Sequence, residues 1–262
     1  MNHNFKKKYG QNFLSDKNLL QAIVADADVS ENDNVLEIGA GAGALTTFLS
    51  QKAKKVIAYE IDNDLEGTLH ALQLKHTKFV FKDALKENIG EIEMHFGGKK
   101  YKLVANLPYY ITTPLLFKFL EESDNVTSLT VMVQKEVAER ITAKPGSKDY
   151  GILTVMIAFW GDAVVTRNVG RQMFYPQPNV DSAVVNIVRH QNYKDVDRIG
   201  FYNFVKACFS MRRKTLANNL SFGLKISKTQ LNNILPAEAL SRRAETFSLD
   251  EFVDLYYLTK KY

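Results

Sequence analysis

Three glycines stand between a short β-rich segment and a helix-like segment, and this junction constrains the fold more than any other feature of the sequence. NVLEIG leads into the glycines, and they open GAGALTTFLSQ, whose apolar residues recur at helical spacing. Further β-rich segments alternate with helix-like ones through residue 134; these are KVIAYEI, KFVFKD, KLVANL and TSLTVMVQ. The alternation predicts βαβ units, hence an α/β fold built on a parallel sheet.

The pattern of apolar residues changes after His190. Before it, the β-rich segments DAVVTRNV and VDSAVVNIV bracket a proline-bearing loop, FYPQPN. Beyond it, four segments carry apolar residues at helical spacing: FYNFVKACF, KTLANNLSF, KTQLNNIL and LDEFVDLYYL. We therefore predict an α/β domain over residues 1–190 and a small all-helical domain over residues 191–262. Within the first, TPLLFKFLEES is predicted to be a helix with Pro114 in its first turn.

Composition places the chain among soluble globular proteins, since 45% of its residues are hydrophobic and 24% are charged. Its one cysteine, Cys208, cannot form an internal disulfide. No run of about 18 apolar residues predicts a transmembrane helix, and MNHNFKKKYGQNF has no apolar stretch typical of a secretory signal. We expect a cytoplasmic monomer without a bound metal.

Positive charge is concentrated at the carboxyl-terminal end. Residues 191–262 hold 12 lysines and arginines against 7 acidic residues, whereas residues 1–190 hold 22 of each. The entire excess of +5 therefore lies in the predicted helical domain. This asymmetry is typical of a domain that binds a polyanion, although solvated lysines on a helical surface would give the same count.

Residues Glu37–Gly43 form the glycine loop. At a strand–helix junction, positions without side chains let the backbone approach a ligand closely where N–H groups point outward. Gly39, Gly41 and Ala44 match the dinucleotide-binding pattern loosely. Glu60 ends the next strand and is placed to accept hydrogen bonds from ribose hydroxyls. Nicotinamide enzymes and S-adenosylmethionine (SAM) methyltransferases share these features, so the loop alone leaves both classes open.

Two further carboxylates favour SAM. Glu37 would place a negative charge near the ligand, which suits a sulfonium or amino group better than a pyrophosphate. Asp83, at the end of the third strand, is placed to accept from an adenine amine, with the cap of a helix over ALKEN as the structural alternative. These residues lie at the carboxyl ends of strands, where open α/β sheets bind ligands.

Asn106-Leu107-Pro108-Tyr109 ends the fourth strand. An asparagine oxygen and the adjacent backbone carbonyl can each accept one N–H of an adenine amine, which aims its lone pair at a methyl donor. Pro108 makes the turn rigid and removes a competing N–H. Tyr109 offers a ring on which a base can stack, an interaction worth about 1–3 kcal/mol.

Nine segments together resemble one known family along nearly the whole chain: QNFLSD, LEIGAGAGALT, YEID, NLPYYITTPLL, VQKEVAERI, YGILTV, FYPQPNVDSAVV, FSMRRKTLANNL and RAETFSL. The chain resembles the ribosomal RNA adenine N6,N6-dimethyltransferases of the KsgA type, which modify small-subunit (16S) rRNA. The resemblance implies a Rossmann-like class I SAM-dependent methyltransferase domain followed by a helical rRNA-binding domain. It also implies dimethylation of two adjacent adenines near the 3′ end of that rRNA, within the assembling subunit.

The resemblance implies roles for individual residues as well. Asn12 and Leu14 would close over SAM, and the glycine loop at Gly39 would line its methionine portion. Glu60 would hold the ribose and Asp83 the cofactor adenine. Asn106 would meet both the cofactor and the target amine, and Phe174 would stack on the flipped base opposite Tyr109. The remaining implied residues are those expected to dock on rRNA: Arg212, Arg213, Lys214, Arg242 and Arg243.

Two other functions remain as alternatives. A large-subunit rRNA adenine methylase that confers macrolide resistance would tend to carry isoleucine and serine where this chain has Leu107 and Thr112, and would have a different carboxyl-terminal domain. A nucleic-acid-binding factor that kept the fold without the reaction would be free to lose Asn106 or Glu60, and both are present.

Overall fold

The computed structural model of the chain describes residues 12–260, which form two compact units. The first unit contains residues 12–138 and 163–189, and the second contains residues 139–162 and 190–260. The predicted domains therefore differ from the observed units over residues 139–162, which pack with the carboxyl-terminal helices. Among the described residues, no helix is both long and apolar enough to cross a membrane.

The first unit is built on a sheet of seven strands in the order β4-β3-β2-β5-β6-β9-β7. These strands are β2 (Asn34–Ile38), β3 (Lys55–Glu60), β4 (Thr77–Phe81), β5 (Tyr101–Asn106), β6 (Val126–Gln134), β7 (Gly161–Val169) and β9 (Ser182–Arg189). Neighbours from β4 to β6 pair in parallel, and β9 pairs antiparallel to β6. Strands β2 and β3 are buried along nearly their whole length, as expected when helices cover both faces of a parallel sheet.

The helices of the first unit connect these strands. They are α1 (Lys17–Asp26), α2 (Ala44–Lys52), α3 (Glu66–Ala71), α4 (Ile89–Met94), α5 (Tyr109–Glu122) and α6 (Lys135–Ile141), the last of which ends in the second unit. The expectation for α5 was wrong in one respect, since Pro114 lies in its second turn. The helix starts at Tyr109, four residues before the predicted start at Thr113, and the carbonyl of Pro108 accepts the N–H of Ile111 at 3.1 Å in its first turn.

A separate two-stranded sheet joins distant parts of the first unit. Strand β1 (Phe13–Leu14) pairs antiparallel with β8 (Phe174–Tyr175), with Leu14 opposite Phe174. Leu14 and Phe174 are 4% and 5% exposed and belong to the main hydrophobic core. The amino-terminal segment is thereby attached to the FYPQP loop by backbone hydrogen bonds as well as by apolar packing.

The second unit is helical and has an aromatic core. Its helices are α7 (Ile152–Trp160), α8 (Arg198–Cys208), α9 (Leu216–Gly223), α10 (Lys228–Ile234), α11 (Ala237–Ser241) and α12 (Leu249–Lys260). Phe159 of α7 stacks on Phe201 of α8 at 4.3 Å between ring centroids. The hydroxyl of Tyr150 donates to the carbonyl of Phe247 at 2.8 Å. Because nearly every residue of α7 is apolar and buried, the helix requires partners on all sides, and the carboxyl-terminal helices supply some of them.

Candidate functional site

One cavity opens at the carboxyl ends of the strands, where β2 has β3 on one side and β5 on the other. Chain connections leave β2 and β5 in opposite directions along the sheet, and such a switch point is where open α/β sheets bind ligands. Eleven residues that the sequence singled out line this cavity: Asn12, Leu14, Gly39, Gly41, Glu60, Asp83, Asn106, Leu107, Pro108, Tyr109 and Phe174.

The glycine loop forms one wall of the cavity. Gly39 and Gly41 have φ angles of 81° and 57°, in the left-handed region that favours glycine. A Cβ on Gly41 would lie 3.0 Å from the ring of Phe13, and one on Gly39 would lie 3.6 Å from the carbonyl oxygen of Asn106. The backbone angle disfavours a side chain at both positions, and at Gly41 the ring of Phe13 also leaves little room for one.

Glu60 fixes the glycine loop from the neighbouring strand. Its Oε2 accepts the N–H of Gly41 at 2.7 Å, and its Oε1 accepts the N–H of Asp62 at 2.8 Å. The side chain is 5% exposed, and burial raises the pKa of its carboxyl above the usual value. Since each carboxylate oxygen has a second lone pair, Glu60 can hold the loop and still accept from a diol.

Asp83 follows β4 in a turn. No helix begins there in the described structure, because the next helix starts at Ile89. Its Oδ1 accepts the N–H of Leu85 at 3.0 Å. The helix-cap alternative is therefore wrong, and the carboxylate instead closes a local turn at the edge of the cavity.

Glu37 is the most unusual group in the cavity wall. It is 1% exposed, and its Oε2 accepts no hydrogen bond from the described residues. Burial, together with the nearby carboxylate of Glu60, raises the pKa of Glu37 to about 8. A buried carboxylate beside a second one requires either a proton or a cationic partner. The cavity wall therefore suits a positively charged ligand.

The Asn-Leu-Pro-Tyr segment forms the opposite wall, at the end of β5. The side-chain amide of Asn106 donates to the carbonyl of Asn12 at 3.4 Å. This orientation leaves Oδ1 as the acceptor available for another amine. Leu107 is 2% exposed, and Pro108 stands at the start of α5 in an extended conformation. Asn106 is thus held between a rigid turn and the amino-terminal segment.

Two aromatic residues line the cavity near Asn106. The hydroxyl of Tyr109 lies 2.8 Å from Oγ of Ser182 at the start of β9, and burial raises the pKa of the phenol. Sequence reasoning missed Ser182, because 73 positions separate it from Tyr109 and no motif links the two. Phe174 lines the cavity and also packs in the hydrophobic core.

The basic residues of the second unit fall into two groups. Arg212, Arg213 and Lys214 are exposed on a loop that the buried Asn219 organises. The Oδ1 of Asn219 accepts the N–H of Met211 at 2.6 Å, and its amide donates to the carbonyl of Lys214 at 3.2 Å. This loop is thereby ordered although it has no regular secondary structure.

The second group adjoins this loop, because Thr215 and Arg243 form an isolated β-bridge. Arg243 is exposed, with Glu245 at 3.8 Å. Arg242 instead binds Glu251 at 2.6 Å and lies 4.0 Å above the ring of Phe247. Adjacent arginines therefore have different surroundings, one exposed and one engaged in packing.

The chain is similar to known ribosomal RNA methyltransferases. The family model described as ribosomal RNA adenine dimethylase matches residues 2–257. Proteins named ribosomal RNA small subunit methyltransferase A from Clostridioides difficile and Bacillus thuringiensis are 44% and 43% identical. Each alignment covers 96% of this chain, with 89% and 90% of the respective relative.

Solved structures agree with the observed fold. A dimethyladenosine transferase from Plasmodium falciparum superposes with a TM-score of 0.79 at 26% identity, covering 95% of this chain and 98% of that one. The 23S rRNA methyltransferase ErmE gives a TM-score of 0.69 at 24% identity, covering 95% and 100%. The predicted class I methyltransferase fold, with an α/β sheet and a helical carboxyl-terminal region, is confirmed.

Proposed function

The chain belongs to the ribosomal RNA adenine dimethylase family, and from this premise we propose that it dimethylates the N6 amines of two adjacent adenines near the 3′ end of small-subunit rRNA. It is a SAM-dependent rRNA adenine dimethyltransferase, as the sequence predicted. The observation that carries the proposal is the single cavity shared by the eleven predicted residues. The small subunit is favoured by the names of relatives that align over 96% of the chain.

The residues of the cavity fit SAM. The unpartnered oxygen of Glu37 and the side-chain-free wall at Gly39 and Gly41 suit a cationic ligand that lies close to the backbone. We assign the ribose to Glu60 and the cofactor adenine to Asp83. Asn12 and Leu14 close the cavity through the pairing of β1 with β8. When bound, SAM supplies a methyl group attached to a positively charged sulfur.

Asn106 positions the target amine. Its Oδ1 and the carbonyl of Leu107 each accept one N–H, so the nitrogen lone pair points toward the methyl donor. The donation from the Asn106 amide to Asn12 fixes this orientation. Orientation of this kind lowers the barrier because the entropy of alignment is lost on binding rather than in the transition state. No strong base is needed, since the amine becomes far more acidic as it is methylated.

Tyr109 and Phe174 receive the flipped base. The bond from Tyr109 to Ser182 fixes the ring of Tyr109, and Phe174 is fixed by its pairing with Leu14. Enzymes that modify a base inside a folded nucleic acid take it out of its stack, and aromatic rings replace part of the lost stacking. Pro108 holds the segment rigid, so that base and amine are positioned together.

The second unit binds rRNA through its exposed basic residues. Arg212, Arg213, Lys214 and Arg243 form one patch, brought together by Asn219 and by the bridge at Thr215. Arg242 contributes by holding the segment in place through Glu251 and Phe247. Such contacts fix the enzyme on the RNA backbone and leave the choice of base to the cavity. We propose that the protein acts as a monomer on an assembling subunit.

Transfer of labelled methyl groups tests the proposal. The protein is incubated with labelled SAM and unmethylated small subunits, unmethylated large subunits or naked rRNA, and reverse transcription then locates dimethyladenine as stops. We expect label in small subunits, with stops at two adjacent adenines near the 3′ end. Label confined to large-subunit RNA would instead support the resistance methylase. RNA binding without label in any substrate would contradict the reaction itself.

A further inference from the structure

A second cavity lies at the opposite edge of the same sheet, where the strands begin. It is lined by Asn34, Lys54, Lys55, His76, Thr77, Lys78, Phe96 and Lys99. These residues come from the starts of β2, β3 and β4 and from the loop before β5. Four of the eight are lysines and none is acidic, so the cavity is strongly positive.

The lysines of this cavity are available for a ligand. Lys54, Lys78 and Lys99 are exposed, and none of the three forms an ion pair with a carboxylate among residues 12–260. Nζ of Lys78 lies 3.4 Å from Nδ1 of His95, and Nζ of Lys55 donates to the carbonyl of His95. Burial, followed by the charges of Lys78 and Lys55, lowers the pKa of His95. Lys78 and Lys55 therefore place positive charge beside the histidine, opposed in part by Glu87.

Two neighbouring lysines outside the cavity, Lys100 and Lys102, are partnered. Lys102 binds Asp33 at 3.2 Å, and Lys100 donates to the carbonyl of Asp124 at 2.8 Å. An anion approaching this edge would thus meet Lys54, Lys78 and Lys99 first. These three lysines from separate segments of the chain line this one cavity. Such a set suits a ligand with several negative charges more than a single small anion.

We propose that this cavity binds backbone phosphates of the rRNA substrate, as a contact surface distinct from the cavity that holds the target adenine. The inference depends on the proposed function, which supplies a folded polyanion as the substrate. Strand β3 runs from Lys55 to Glu60, so the two cavities lie roughly 15–20 Å apart. An rRNA that fills one cavity with a flipped base is large enough to present phosphates to the other.

Salt dependence of binding provides the test. The triple variant Lys54→Ala, Lys78→Ala, Lys99→Ala is compared with the wild-type protein for binding to unmethylated small subunits between 50 and 200 mM salt. Each lost phosphate contact lowers the slope of log K against log salt by about 0.7–0.9. Over this fourfold range, the wild-type protein should lose affinity by roughly 20–40-fold more than the variant.

Two controls separate charge from fold. A variant with arginine at the three positions keeps the charge and should bind as the wild type does. The affinity for SAM should be unchanged in all variants, which confirms that the fold is intact.

The outcomes distinguish this inference from the proposed function. A salt slope and affinity equal to those of the wild type in the cavity variant would overturn the inference. The same loss in the arginine variant would overturn it too, because that variant keeps the charge. If the wild-type protein methylates no small-subunit RNA, the proposed function fails first, whatever the salt slopes show.

Discussion

The two edges of the central sheet carry ionisable side chains of opposite type. The acids at one edge are buried, and the lysines at the other are exposed. At the carboxyl edge, Glu37 and Glu60 are buried and their pKa values are raised. At the amino edge, Lys54, Lys78 and Lys99 are exposed to water. A buried carboxylate is selective, because it requires a cation that fits the cavity, whereas exposed lysines attract any polyanion. Equal numbers of acids and bases in residues 1–190 therefore conceal two different sites, one with buried acidic side chains and one with exposed basic side chains.

The largest expected effect is on kcat and comes from a change at the carboxyl edge, whereas the same change at the amino edge should leave kcat unaltered. Asn106→Ala should lower kcat by roughly 100–1,000-fold, since it removes an acceptor that positions the reacting amine. Asn34→Ala makes the same change at the amino edge, where the side chain donates to the carbonyl of Lys100. Asn34→Ala should leave kcat unchanged. Single-turnover methylation, with RNA binding measured in parallel, checks both, and near-normal turnover by Asn106→Ala would refute its role.

The cofactor site should depend strongly on Glu60. Glu60→Ala leaves the buried N–H groups of Gly41 and Asp62 without their acceptor, and it removes the proposed ribose contact. We expect the Kd for SAM to rise about 10–100-fold, because hydrogen bonds to charged groups contribute about 1.5–3 kcal/mol each. Calorimetry measures this change, and Glu91→Ala, which removes an exposed acid, is the control. A Kd within twofold of wild type would contradict the assignment.

Stability of the cofactor-free protein should fall as pH rises, because of Glu37. Its pKa of about 8 in the folded state exceeds the value of 4.5 usual for a glutamate in water. Between these values the folded state holds a proton that the unfolded state has lost, so the contribution of this group is complete below about pH 4.5. It is then lost, by up to about 1.4 kcal/mol per pH unit, as pH rises toward 8. Denaturant unfolding from pH 5 to 8 should show a flatter profile for Glu37→Gln.

SAM should reverse this dependence, since a cationic ligand favours the ionised carboxylate. Binding should release a proton below pH 8, so the affinity should increase with pH up to that value. Calorimetry in buffers of different ionisation enthalpy counts the protons released. Equal proton release by the wild type and by Glu37→Gln would show that another group titrates.

The smallest expected effects distinguish two adjacent arginines. Arg242→Ala removes a partly exposed ion pair with Glu251 and the stacking on Phe247, and should cost about 1–2 kcal/mol of unfolding free energy. Arg243→Ala should leave stability within about 0.5 kcal/mol. It should instead lower the salt slope of RNA binding by about one. Chemical denaturation and salt titration of RNA binding check the two variants. A stability loss in Arg243→Ala together with a lower salt slope in Arg242→Ala would overturn the assignment.

Local patterns predicted much of the fold and of the candidate site. The glycine loop and the Asn106–Tyr109 segment each follow a strand directly, so their placement at a strand end required only short-range reasoning. Four predicted helices after His190 are present as α8, α9, α10 and α12. The start of α5 was harder to place, because Pro114 resembles a first-turn proline while the cap at Pro108 had no sequence signal of its own.

Residues far apart in sequence account for what was missed. The segment 139–162 packs with the carboxyl-terminal helices because α7 is apolar on nearly every side, and the order of segments does not reveal such packing. Tyr109 meets Ser182 through a side-chain hydrogen bond and Leu14 meets Phe174 through strand pairing, and no motif encodes either contact. The lysine cavity similarly required the register of the parallel strands to bring together positions 54, 78 and 99.

The α/β class and the placement of the glycine loop and of Asn106–Tyr109 at strand ends followed from residue types at short, regular spacings. The resemblance to a known family, carried by nine segments, added Asn12, Leu14 and Phe174 to the predicted site. Tertiary packing sets which carboxylates lose their water, which arginine packs against a ring and which lysines gather at one edge. These properties depend on burial and on distances between atoms remote in the chain. Desolvation and Coulomb interactions act through space, and a linear pattern contains neither.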